Sequence, residues 1–216
     1  MTTDPLDLLT IGVLAFFGVR LARSFRIAVR PDARQRSLAI VRGMRLRHFV
    51  PVPFVLAAVL ATAAALTSIP LLSYGWWSAI GGAGNPVFGV TEATTGTAFE
   101  LLVPAAFLVL LIPALPLLVE REEVLFRRGA ESWSPAKRVV RAVFFGAVHA
   151  AIGIPVGVAL ALSVGGGWFT YTYLRGYARS GGSRAAALLE STRAHLAYNT
   201  TIVVLVVVAL ALLALS

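Results

Sequence analysis

Residues 98–129 read AFELLVPAAFLVLLIPALPLLVEREEVLFRRG, and this stretch decides the fold. No residue from Leu101 to Val119 carries a charge, and a helix of that length crosses the ~30 Å hydrocarbon core of a bilayer. The run contains Pro104, Pro113 and Pro116 and passes directly into Glu122, Glu123 and Arg127, before Gly129 offers a C-cap. The expectation is a membrane span from Ala98 to about Val119 that continues as helix through the charged stretch to Gly129.

Working outward, the rest of the chain has the same character. Apolar residues make up 58% of the 216 and charged residues only 13%, where a soluble domain carries roughly 25% charge. Mean hydropathy is +0.82. The length fits one helical bundle and leaves no room for a sizeable soluble domain. Cysteine is absent, which removes disulfides and thiolate metal sites from consideration.

The formal net charge of +9 raises the question of nucleic acid, but the placement of the charge answers it. All nineteen basic residues fall in three clusters, Arg20–Arg47, Arg121–Arg141 and Arg175–Arg193. Basic residues gathered in alternate loops resist translocation and favour anionic cytoplasmic headgroups. The charge therefore reports topology, and no nucleic-acid partner is expected. Asp4 and Asp7 stand where a secretory signal would be basic, so the N-terminus is not read as a cleavable leader.

Alternating apolar runs with these clusters gives an all-α, polytopic transmembrane bundle of about six spans, or seven to eight helices if interfacial ones are counted. The first span, Leu6 to Leu21, runs inward. Arg20, Arg23, Arg26, Arg30 and Arg34 then follow at a spacing that gathers arginine on one helix face. This segment reads equally as a topogenic loop or as a lipid-recognising one. The second span is Phe49 to Leu72. Tyr74, Trp76 and Trp77 read as an outer aromatic belt, and the glycines between Gly81 and Gly84 as a loop. Residues 139–174 are apolar for too long to be one span, and Gly153-Ile154-Pro155 reads as the break between a fourth and a fifth. Trp168, Phe169, Tyr171 and Tyr173 are expected to form an inner aromatic belt. A short amphipathic stretch precedes the last span, Ala194 to Leu215. The whole of 1–216 is read as one integral membrane domain, with 1–97 supplying N-terminal spans and an Arg-rich interfacial segment, and 98–216 carrying the polar residues.

Ionisable groups in or beside spans are costly, and they mark function by default. Counting along the helices from Arg141 and Arg193 puts His149 about 12 Å and Asn199 about 9 Å from the boundary. Glu122 and Glu123 approach from the same leaflet. Three segments thus bring two carboxylates, two imidazoles and an amide to one depth, where a bundle can close them around a cavity. Taken singly, a Glu pair at a membrane edge is usually an anchor, a buried His a core residue, and HxxxN a chance pattern. Their conjunction is what points to a site. Within it, Glu123 and Arg127, Phe145 and His149, and His195 and Asn199 are each four apart and share a helix face.

Glu122-Glu123-Val-Leu-Phe-Arg127 matches EExxxR, Phe145-Gly-Ala-Val-His149 matches FxxxH, and His195-Leu-Ala-Tyr-Asn199 matches HxxxN. In this order the chain resembles the CPBP (CAAX protease and bacteriocin-processing, Abi) family of intramembrane proteases, which includes the type II prenyl-protein endopeptidases. The resemblance covers about Leu117 to Leu205. One departure is Arg128 before Gly129, where many members have Gly directly after the motif Arg. The resemblance implies a glutamic-type peptidase of the cell membrane, open toward the cytoplasmic leaflet, acting on a membrane-tethered and in some members prenylated polypeptide.

On that implication Glu122 is the general base, and burial in an apolar cavity strengthens a carboxylate for that task. His149 helps hold the water, while His195 and Asn199 donate to the oxyanion. Glu123, Arg127 and Phe145 are supporting residues. No cofactor is expected. The alternative is a zinc site on Glu122, His149 and His195, because two His and a Glu are a known zinc set, although HEXXH is absent. Two further readings stay open: a non-proteolytic immunity or scaffolding protein on the same fold, and a transporter or proton relay.

Overall fold

The computed structural model describes residues 5–88, 91–92 and 94–215; Asp4 lies outside them. Among these residues the chain is all-helical, with no strand. Four helical segments are long and apolar enough to cross a membrane: Pro5–Ala28, Leu46–Thr67, Phe99–Ser132 and Arg184–Leu212. That is the build of an integral membrane protein. Large apolar side chains such as Phe16, Phe54, Leu71 and Val109 stand on the outer surface, where a soluble protein would place polar ones.

Helix α1 (Pro5–Ala28) runs past the expected end of the first span. The chain then breaks, because Pro31 cannot donate a backbone N–H and restricts the residue before it. Helix α2 (Pro31–Arg42) starts there, with Asp32 in its first turn. The expected single arginine face is thereby divided: Arg20, Arg23 and Arg26 belong to α1, Arg34 to α2, and Arg30 is the N-cap between them. Helix α3 (Leu46–Phe49) leads into α4 (Val52–Thr67). A short α5 (Trp76–Ala79) lies in the following loop.

Helix α6 (Phe99–Arg127) is continuous for 29 residues with Pro104, Pro113 and Pro116 inside it, a length of about 43 Å. It ends where expected, with Gly129 at φ 90°. Ser134 caps α7 (Pro135–Val148), its side chain accepting from Lys137 N. The break at Gly153 is as the sequence predicts: φ is 84°, a conformation that costs a residue with a Cβ, and Pro155 follows. Helix α8 (Val156–Arg179) runs back through the bundle. The expected amphipathic stretch and last span are one helix, α9 (Arg184–Leu215).

Helix α8 is the inner helix, packed against α4, α7 and α9. Its buried small residues, Gly157, Ala159, Ala161, Gly165 and Gly166, lie on more than one face: Gly157 meets Leu66, Thr67 and Leu72, and Gly166 meets α7. A Cβ on Gly166 would meet Phe145 Cδ1 at 2.9 Å and Ala142 O at 3.0 Å, so glycine is what lets α7 close onto α8.

Both aromatic belts need correction. Trp77 is buried and donates its indole N–H to Ala83 O at 3.0 Å. Phe169 and Tyr173 are buried in the core, leaving Trp168 and Tyr171 nearer the surface. The three basic clusters, in contrast, do meet at one end of the bundle. Arg36 Nε donates to Glu120 Oε2 at 2.8 Å, and Arg47 Nη2 to Glu190 Oε2 at 3.0 Å. Arg184 Nε donates to Glu131 Oε1 at 2.6 Å, and Arg193 Nε to Ile40 O at 3.3 Å. At the other end, the 73–88 loop is tied to the α7–α8 turn. There Asn85 Nδ2 donates to Ile152 O, Trp76 Nε1 to Ala151 O and Val156 N to Tyr74 O.

Candidate functional site

Helices α6, α7, α8 and α9 enclose a cavity of about 410 Å³. Its walls are mostly apolar, and the exceptions are informative. Glu122, His149, His195 and Asn199 all line it, from three different helices. The structure therefore brings together all four residues that the sequence nominates. Along α6 the lining runs from Pro104 to Glu122, about 27 Å of helix. The cavity is thus an elongated furrow, polar near Glu122 and apolar past Leu111, Leu108 and Pro104.

The two adjacent carboxylates have different surroundings. Successive helical residues point about 100° apart, so Glu122 and Glu123 cannot share an environment. Glu122 is 38% exposed and faces the cavity. Glu123 is fully buried, 3.2 Å from Arg127 Nη1, with Arg127 itself only 1% exposed. The Arg127 guanidinium lies 4.0 Å from the Phe145 ring centroid and 5.4 Å from that of Phe169, and Nη2 donates to Gly166 O at 3.4 Å. A buried charge pair is tolerated only when geometry and further contacts offset its desolvation, and here the ion pair, the carbonyl and two ring faces supply them.

Glu123 has a second partner. His195 Nδ1 donates to Glu123 Oε1 at 2.9 Å, which leaves His195 Nε2 pointing toward Glu122 Oε2 at 3.6 Å. Phe169 stacks on the His195 ring, with centroids 4.1 Å apart and planes at 17°. The imidazole is therefore held in tautomer and in orientation. His149 is fixed by a similar device: Nδ1 donates to Phe145 O at 2.7 Å, so Nε2 is the free nitrogen. Phe145 lies between the imidazoles, its centroid 4.9 Å from that of His149 and 5.5 Å from that of His195. The ring holds the two histidines apart, and no hydrogen bond among the described residues joins His149 to Glu122, His195 or Asn199.

This geometry revises one expected role. A neutral His195 with Nδ1 protonated offers an acceptor at Nε2. It donates to an oxyanion only as imidazolium, balanced by Glu122, while Arg127 balances Glu123. Asn199 is a donor in any state. The residues of the zinc alternative line the cavity, but no group of three His, Cys, Asp or Glu side chains among the described residues is placed to hold a metal ion.

Sequence reasoning missed Phe169 and the Glu123–His195 bond. The signal for Phe169 was available in the run of Gly165, Gly166, Phe169, Tyr173 and Gly176, which follows helical spacing and marks an inward face. Nothing in the sequence pairs Glu123 with His195 across 72 positions. No family model matches the chain, and no curated protein or solved structure matches it either.

Proposed function

We propose that the protein is an intramembrane endopeptidase of the CPBP type, hydrolysing a peptide bond in a membrane-tethered polypeptide. The observation that carries this reading is the convergence of Glu122, His149, His195 and Asn199 on one apolar-walled cavity. The order and spacing of the three motifs support it. The furrow past Leu108 and Leu111 suits an extended apolar segment, such as a transmembrane or lipid-bearing peptide.

In this scheme Glu122 takes a proton from water while His149 Nε2 accepts the other water hydrogen and orients it. The water oxygen bonds to the scissile carbonyl carbon, and the carbonyl electrons move onto oxygen. Asn199 and protonated His195 donate to that oxyanion. Collapse of the intermediate breaks the C–N bond, and the proton held by Glu122 passes to the departing amine. Glu123 and Arg127 act through His195 and are positioning residues. The basic end of the bundle faces the cytoplasm, with α1, α3–α4, α6, α7, α8 and α9 as six crossings and both termini outside.

The activity test is cleavage of a transmembrane or prenylated reporter peptide by purified protein in liposomes. Glu122→Gln is expected to abolish cleavage, Asn199→Ala to slow it on the order of 10²–10³-fold, and Lys137→Ala to leave it unchanged. Undiminished cleavage by Glu122→Gln would overturn the mechanism. Loss of activity on exhaustive chelation would overturn its metal-free form. Because the chain has no cysteine, topology can be read with single introduced thiols. Arg34→Cys is expected to react with an impermeant maleimide only from the cytoplasmic side, and Tyr74→Cys only from the outside.

A further inference from the structure

A second concave site lies at the basic end, on the flank of α9 away from the cavity. It is a depression of about 130 Å³ whose lining includes Arg47, His48, Arg175, Arg179 and Glu190, with Trp168 and Tyr171 at its edge. Its residues come from three separate stretches of chain: α3, the C-terminal half of α8 and the first turns of α9.

Within it, the single carboxylate is already engaged. Glu190 Oε2 accepts from Arg47 at 3.0 Å, and its Oε1 lies 3.4 Å from His48 Nε2. His48 Nδ1 accepts the Arg45 backbone N–H at 2.8 Å, so the proton of a neutral ring sits on Nε2, facing Glu190. Arg175 and Arg179 border the same depression, and neither has an ion pair among the described residues. Three arginines thus border the depression against one carboxylate, leaving a net surplus of positive charge around a space of about 130 Å³. That space matches a tetrahedral oxyanion, and planar guanidinium forks match its oxygens. Trp168 and Tyr171 stack at 5.3 Å beside it, and amphipathic rings of this kind settle at headgroup level.

We propose that this depression is a phosphate-binding site, filled by the phosphodiester of an anionic lipid in the cytoplasmic leaflet or by a free phosphate. It does not depend on the chemistry of the cavity.

The test uses the full chain in phosphatidylcholine nanodiscs, with spin-labelled phosphatidylglycerol and spin-labelled phosphatidylcholine as probes. The same variants in detergent are titrated with inorganic phosphate. Selective immobilisation of phosphatidylglycerol, weakened about fivefold by R175A or R179A and unaffected by R34A, assigns the site to lipid. Saturable inorganic phosphate binding with the same arginine dependence, and no lipid preference, assigns it to free phosphate. Glu190→Gln removes the depression's own anion and is expected to tighten binding about fivefold, a gain that misfolding cannot imitate. Equal losses from R34A and R175A, or no binding of either probe, would overturn the proposal.

Discussion

Helices α1 and α8 are both 24 residues long, yet only α1 qualifies as a membrane span by hydropathy. The difference lies in what each helix touches. Helix α1 buries three residues, Thr10, Leu21 and Ala28, and turns Leu8, Ile11, Phe16 and Val19 outward. Helix α8 buries ten, among them four glycines and Thr170, Thr172 and Tyr173. A helix packed against three others needs close approach and hydrogen-bonding handles more than it needs oil. Hydropathy therefore finds the helices that face lipid and undervalues the one that organises the interior.

This contrast can be broken by experiment, and the largest effect is expected where α8 meets charge. Arg127→Ala strands Glu123 and removes the cation that α8 receives at Gly166. It should cost about 3–5 kcal/mol in thermal unfolding in detergent, whereas Arg20→Ala on α1 should stay within about 0.5 kcal/mol. Equal losses from the two would mean that α8 is not the organising helix. Next comes packing: Gly166→Val is expected to cost about 1–3 kcal/mol, because its new methyls would enter Phe145 and the α7 backbone. A Cβ on Gly18 of α1 meets nothing within 4 Å, so Gly18→Val serves as the matched control. Smallest is Arg36→Ala, which opens an exposed pair with Glu120 and should change stability by less than about 1 kcal/mol.

The same contrast explains what was legible in the sequence. The membrane helices, the Gly153 break and the end of α6 at Gly129 follow from apolar runs and breakers, which are local signals. The grouping of Glu122, His149, His195 and Asn199 was legible because helical rise converts spacing into depth. The aromatic residues were misread because Trp77, Phe169 and Tyr173 have the composition of a belt and the environment of a core. Composition cannot distinguish the two; only the phase of the neighbouring glycines does. The Glu123–His195 bond was not legible, since it depends on how α9 is rotated against α6. The arginine face failed for a simpler reason: a count of three and four assumes one helix, and Pro31 makes two.

The length of α6 has a consequence for how the protein sits in different bilayers. Its uncharged section, Leu101 to Val119, is about 28 Å long, close to the thickness of an ordinary hydrocarbon layer. Glu122 stands one turn beyond that section on the same rigid rod. In the proposed membrane orientation the carboxylate is thus stationed at the waterline. A thicker or thinner membrane moves that line, while the helix carries Glu122 with it at fixed register. In that orientation bilayer thickness would act as a dial on how much water reaches the cavity mouth, giving lipid composition a route to the site that involves no ligand at all.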